Sequence, residues 1–356
     1  MCPQSRSSST RRLEGLDLAR ALAFAGMLLA HFASPRPGDG PGWVRGLDAV
    51  ADGRAAPLFC VLLGVGAGLL TAGGSRDVVI VRRGLLLFLL GVLLWPYTPV
   101  VYLILPHYGV LLALMPLLRR VATRWLLPLA LVAFAVPSLA RSLMVDDRLR
   151  ATLQPDHFSD LADIGAVVRY LLWTGGYPLV GWVGFALVGM WLYRELPRGR
   201  GAALRLALVS GALVATQPLW AEAREALGGG AAPGQAEGLA AFFDTTAHSN
   251  MFGWYVLASA SAVAAVALCL VVVPAQATRG LRPLVLLGQL ALTAYVAHLV
   301  LGEQWLWEWE RTERPSLLTQ LVIVGVVVAA FAAVATLWRS RFQRGPLEAA
   351  LRVAAG

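Results

Sequence analysis

Residues 16–32 read LDLARALAFAGMLLAHF, and how this run is understood decides the fold. About 20 predominantly apolar residues are needed to cross the hydrocarbon of a bilayer as a helix, and this run comes close to that length. Yet it carries Asp17 and Arg20 at one end and His31 at the other. Ionisable groups inside a span are costly and normally face a cavity or a partner. At 100° per residue, the step from Arg20 to His31 makes three turns plus about 20°, so the two side chains share one helix face, about 16 Å apart along the axis. They cannot touch, but they can line one groove leading from one membrane boundary toward the other. Asp17, three residues before Arg20, can pair with it and hold the guanidinium in place.

The same kind of run recurs along the chain. Of the 356 residues, 58% are hydrophobic and only 14% charged, and the mean hydropathy is +0.65. So little polar surface means a chain solvated mostly by lipid. Apolar segments near 16–34, 55–73, 80–97, 103–119, 125–141, 176–193, 202–220, 251–273, 283–302 and 316–338 give the expected fold class: all-α, a polytopic transmembrane helix bundle of about ten spans. Segment 161–174 is too short and carries Arg169, so it reads as an interfacial or re-entrant helix. The expected organisation is an amino-terminal tail over 1–15, one transmembrane domain over 16–338 and a carboxy-terminal tail over 339–356. The opening MCPQSRSSSTRR and the HFAS at 31–34 imitate a secretory signal, but the spans downstream favour an uncleaved first helix. No repeat, heptad run or separate soluble domain is visible.

A net charge of +9, carried by Arg with no Lys at all, would suggest nucleic acid in a soluble protein. Here the arginines gather in short alternate loops: Arg11 and Arg12, Arg82 and Arg83, Arg119 to Arg124, Arg194 to Arg200, Arg279 and Arg282, and Arg339 to Arg344. The positive-inside rule accounts for this pattern, placing both termini in the cytoplasm and nucleic acid outside the list of partners. The bilayer is the first partner, and the cytoplasmic membrane of the cell the expected location. Cys2, Cys60 and Cys269 have no metal or disulfide spacing. No HExxH, GxSxG or carboxylate-rich constellation appears, so no metal is expected.

The opposite loops, 35–54, 142–165, 221–250 and 303–315, hold the remaining chemistry. GGGAAPGQAEG at 228–238 is a hinge by composition, and EQWLWEWERTERP at 303–315 is an interfacial anchor belt or an acceptor-binding aromatic wall centred on Trp305. His298 in TAYVAH lies with Thr293 and Tyr295 near one end of its span, where such groups bond between helices or face a site. His107 follows Pro106 at a helix start, with Tyr108 beside it. Asp244 and His248 would share one face if TTAHSN begins a helix, whereas Ser249 or Asn250 would serve as a plain N-cap. A catalytic His needs an orienting group, and Asp52, on the same side as His31, is the leading carboxylate, with Asp244 and Glu303 behind it. LLGVGAGLL at 62–70 lacks a following Lys or Ser/Thr, so its glycines read as close helix packing.

Several stretches carry a family resemblance. The Arg, ten residues, then His of the first run resembles the R-X10-H motif of the acyltransferase 3 families. The wider order is similar to the transmembrane acyltransferases related to heparan-alpha-glucosaminide N-acetyltransferase and to domain of unknown function 418: LDLARALAFAGMLLAHF at 16–32, DGRAAPLFCVLLGVGAGLL at 52–70, RRGLLLFLLGVLLW at 82–95, ILPHYGVLLAL at 104–114, YPLVGWVGFALVGMWLYR at 177–194, AHSN at 247–250 and PLVLLGQLALTAYVAHLVL at 283–301. One departure is plain. The heparan-type enzymes carry their catalytic His in the loop before the second span, and stretch 35–54 here contains none, so His31 would fill that role.

The resemblance implies an integral-membrane acyltransferase with no tightly bound cofactor, taking an acyl, chiefly acetyl, group from cytoplasmic acyl-CoA to a sugar, glycan or small-molecule acceptor on the far face. His31, Asp52 and His298 would be catalytic. Arg20, Asp17, His107 and Tyr108 would meet the coenzyme A, and Asp244, His248 and Trp305 the acceptor. An acyl-CoA, with phosphates at one end and a thioester at the end of a long arm, suits the Arg20 to His31 spacing. The alternatives are a transporter or flippase with Arg20, His31 and His298 lining its path, and a scaffold or sensor with no substrate. Against transport, the sequence shows no paired interrupted spans in corresponding halves. Oligomeric state is open.

Overall fold

The computed structural model describes residues 3–32, 52–98, 101–143, 161–196, 199–229, 238–273, 278–302, 308–309, 312–313 and 315–356. Among them there is no strand, and the chain is an all-α polytopic membrane bundle. In hydrocarbon, a helix satisfies its own backbone within one segment, which is why long apolar runs resolve into helices.

The helices are α1 (Pro3–Phe32), α2 (Ala55–Ala72), α3 (Asp77–Leu94), α4 (Leu105–Leu118), α5 (Thr123–Leu143), α6 (Ile164–Arg169), α7 (Leu179–Arg194), α8 (Arg200–Val214), α9 (Gln217–Ala226), α10 (Gly238–Phe242), α11 (Phe252–Val272), α12 (Thr278–Gln289), α13 (Ala291–Leu301), α14 (Leu317–Arg339) and α15 (Pro346–Ala355). Among the described residues, seven stretches are long and apolar enough to cross a membrane, and counting each of two bent helix pairs as one span raises this to nine. Each of the ten runs marked in the sequence holds helix. The difference in count lies in α4, which has 14 residues, short of a full crossing.

One of the two bends has a cause visible in its own residues. Segment 164–174 is helical, its last five residues a wider turn over Tyr170–Thr174, and Gly175, Gly176 and Pro178 then separate it from α7 at an angle of 52°. The run 283–302, expected as one span, is broken at Leu290 into α12 and α13 at 79°. No proline marks this break, so the sequence gives no warning of it. Within 339–356, expected as a tail, residues Pro346–Ala355 form α15.

The chain forms two compact units. The first holds Met1–Phe59, Pro197–Ala207 and Ala264–Ala354, with α1 packed against α12, α13 and α14. The second holds Cys60–Leu196, Leu208–Val263 and Ala355–Gly356. There α3 packs on α4, and α5 on α7, around buried Phe134, Trp182, Phe185, Trp254 and Tyr255. Phe134 and Tyr255 stack with ring centroids 4.8 Å apart. Gly64 and Gly68 of stretch 62–70 serve close helix packing. A Cβ on Gly64 would strike the Ala186 carbonyl, one on Gly68 the Tyr193 ring, and one on Gly189 the Val61 carbonyl. In this unit the arginine loops meet at one end: Arg194 donates to the carbonyls of Arg119 and Val121, each at 2.6 Å, and Arg119 donates to Asp77 at 2.8 Å.

Candidate active site

The first unit brings two of the sequence candidates into contact. His31, in the last turn of α1, and His298, in the last turn of α13, place Nδ1 and Nε2 3.3 Å apart. Their rings lie 5.4 Å apart at 30°. His298 is 2% exposed, and Phe24 and Tyr295 meet its ring edge-on at 5.8 and 5.4 Å. His31 is half-buried, so one imidazole is held in the packing while the other stays within reach of a ligand. Two imidazoles in contact form a coupled pair: one nitrogen must donate and the other accept.

Nearer the start of α1, Asp17 and Arg20 form the ion pair expected from their spacing. Asp17 Oδ2 also accepts from Gln289 Nε2 at 3.0 Å, and Gln289 Oε1 accepts from Arg339 Nε at 3.1 Å. A carboxylate thus ties two guanidiniums together through one amide, across α1, α12 and α14. Arg20 keeps 32% of its side chain exposed. From sequence, Gln289 carries no signal and Arg339 reads only as part of a cytoplasmic arginine cluster. No local spacing connects them to Asp17, and only the packing of three helices does so. Asp52 is exposed and lies beside Arg54, whose guanidinium burial pushes below its ordinary range while the Asp52 charge pulls it back.

The second unit holds His107 and His248 among aromatic rings. His107, in the first turn of α4 after Pro106, is 1% exposed and lies 5.4 Å from Tyr170 and 5.6 Å from Tyr177. Tyr177 in turn is 6.1 Å from His248, which lies 5.7 Å from Trp254. Tyr108 follows His107 and is half-buried.

The helical pairing of Asp244 with His248 is corrected by the structure. Residues 244–250 form a loop before α11, and Asp244 Oδ1 accepts from the Thr246 backbone at 2.9 Å and from its hydroxyl at 2.6 Å, a local turn that replaces the helix. His248 and Asn250 both adopt left-handed backbone, φ 57° and 54°. Asn250 is not a simple cap. Its Oδ1 accepts from Trp182 Nε1 at 2.8 Å and from the Tyr255 hydroxyl at 3.3 Å, and its Nδ2 donates to the carbonyls of Gly176 and His248 at 3.2 and 3.1 Å. A buried amide with its capacity filled fixes the loop that presents His248. Trp305 lies outside the described residues. Among the described residues there is no cluster of three or more His, Cys, Asp or Glu able to hold a metal.

A membrane bundle with a histidine pair, a guanidinium network and an aromatic cluster is the setting in which the family matches fall. Residues 12–220, more than half of the chain, match the family model described as heparan-alpha-glucosaminide N-acetyltransferase, catalytic. Residues 231–356 match the model described as protein of unknown function (DUF418). The chain belongs to this family of transmembrane acyltransferase-like proteins. No curated protein matches it.

Proposed function

We propose that the protein transfers an acetyl group from acetyl-CoA on the cytoplasmic side to a carbohydrate or small-molecule hydroxyl or amine on the opposite side. The observation that carries this reading is the contact of His31 Nδ1 with His298 Nε2 at 3.3 Å, about three turns along α1 from the Asp17 and Arg20 pair at mid-helix. The family supplies the reaction class, and these residues supply the roles.

For His31 to act as a base, its Nδ1 must carry the proton donated to His298 Nε2, which makes its own Nε2 the proton-accepting nitrogen. The acceptor oxygen or nitrogen then bonds to the thioester carbonyl carbon as its proton passes to His31 Nε2. His298 stabilises the resulting imidazolium by continuing to accept from Nδ1, the orienting role that a carboxylate fills elsewhere. The tetrahedral adduct collapses, the carbon–sulfur bond breaks, and the leaving sulfur takes the proton from His31. The products are acylated acceptor and free coenzyme A. Arg20, steadied by Asp17 and Gln289, meets the phosphates. Asp52 is the remaining catalytic candidate, His107 and Tyr108 are candidates for the donor, and His248, Asp244 and Trp305 are candidates for the acceptor.

The test is release of free coenzyme A from acetyl-CoA by the protein in detergent, alone and with a mixture of sugar acceptors. Wild type should release it with acylation of an acceptor, and His31→Ala, still folded, should fall by about a hundredfold or more. Absence of release together with absence of coenzyme A binding would overturn the reading. A second reading has its own observation. The interrupted spans that the sequence did not reveal are present as two bent pairs, at 52° and 79°, and broken helices are a common feature of transporter sites. Flux of a substrate across proteoliposomes without thioester cleavage would support transport instead.

A further inference from the structure

The break at Leu290 leaves the first N–H groups of α13 without partners inside their own helix, and Leu290 offers no side-chain cap. The partners come from the far end of the chain. Glu348, in the first turn of α15, accepts through Oε1 from the backbone N–H groups of Leu292 and Thr293 at 2.9 and 3.1 Å. Its Oε2 accepts from the Thr293 hydroxyl at 2.5 Å, and that hydroxyl accepts from Leu347 N at 3.2 Å. Gly345 permits the approach, since a Cβ there would press on the Glu348 carboxylate and lie 2.9 Å from Thr293 Oγ1. A carboxylate at this point also meets the positive end of the helix dipole.

α13 has only 11 residues, and it is held at both ends. Glu348 fixes its start. Near its finish, His298 lies against His31 and Phe24, about 7 Å along the axis from Thr293. A short helix pinned at one end transmits any change of tilt there to the other end. We propose that Glu348 is a positioning residue of the active site: by capping α13, it sets the tilt and register that bring His298 Nε2 to His31 Nδ1. The carboxy-terminal helix α15 is thereby part of the catalytic apparatus. This rests on the histidine-pair reading given above.

The experiment is a double-mutant cycle on the full chain, with acetyl-CoA as donor, reading kcat and KM separately. Glu348→Ala should lower kcat about 10- to 100-fold, the scale of a misplacement near 1 Å, with KM for acetyl-CoA unchanged. Glu348→Gln, which keeps an acceptor oxygen for the two N–H groups, should recover most of the loss. In a His298→Ala background, Glu348→Ala should cost nothing further, because it acts only through His298. Additive losses in that background, or a loss confined to KM, would overturn the proposal. If Glu348→Ala does not fold, Thr293→Val takes its place in the cycle. A readout independent of turnover is the imidazole nitrogen resonances of selectively labelled histidines, assigned with His31→Ala and His298→Ala. Those of His31 and His298 should move in Glu348→Ala while the other three stay, and unmoved resonances would refute the positioning role. Full activity in both His31→Ala and His298→Ala would instead refute the reaction reading, leaving the resonances to decide the role of Glu348.

Discussion

Gly189→Ala should loosen the contact between α2 and α7, and the size of the effect follows from the geometry. A Cβ at 189 would meet the Val61 carbonyl, with Val61 C at 2.8 Å and Gly64 Cα at 3.0 Å; a Cβ at 64 would meet the Ala186 carbonyl, with Met190 N at 2.7 Å and Gly189 C at 2.9 Å. These are backbone atoms, so no rotamer change relieves the overlap, and the helices must part by about 1 Å to restore ordinary contact. Overpacking of this kind costs about 1–3 kcal/mol. At about 2 °C per kcal/mol for a long chain, the apparent melting temperature should fall by about 4 °C. Cys60 on α2 is fully buried and Cys269 is also buried, so a thiol-reactive fluorophore reports unfolding directly in a Cys2→Ser background. One displacement relieves both clashes, so Gly64→Ala with Gly189→Ala should cost little more than the worse single change. Melting of Gly189→Ala within about 1 °C of its parent, or fully additive losses in the double variant, would refute this account of the contact.

The same thermal assay checks Asn250→Leu, which strands the buried Trp182 indole N–H and the Tyr255 hydroxyl; we expect a loss of about 2–3 kcal/mol. In His248→Gly the relief of the φ 57° backbone offsets the lost ring contacts with Tyr177 and Trp254, so stability should change by less than about 1 kcal/mol. If His248 meets the acceptor, the same variant raises acceptor KM, and an unchanged KM would remove it from the site. Asp17→Ala frees Arg20 and Gln289 from the carboxylate they share. KM for acetyl-CoA should rise about 3- to 10-fold, consistent with loss of a partly exposed ion pair, with kcat little changed; an unaltered KM would separate Arg20 from donor binding.

The sequence by itself determined the helices and the local pairs. Lipid leaves the backbone of an apolar run no partner but its own helix, so every long run resolved into helix, and the Asp17 and Arg20 pair followed from three-residue spacing on one face. The glycine packing of 62–70 was legible for the same reason: it depends on residue size along one helix. Only the tertiary structure decided the contacts that join distant segments. His31 meets His298 across 267 positions, Asp17 meets Gln289 across 272, and Glu348 caps a helix start 55 positions earlier. Apolar helices carry little signal for which face meets which neighbour, because lipid and another helix are nearly equivalent solvents for the same side chains. The break at Leu290 belongs here too. It is stable because a carboxylate from the last helix satisfies the N–H groups it exposes, and no property of residues 283–302 alone contains that carboxylate.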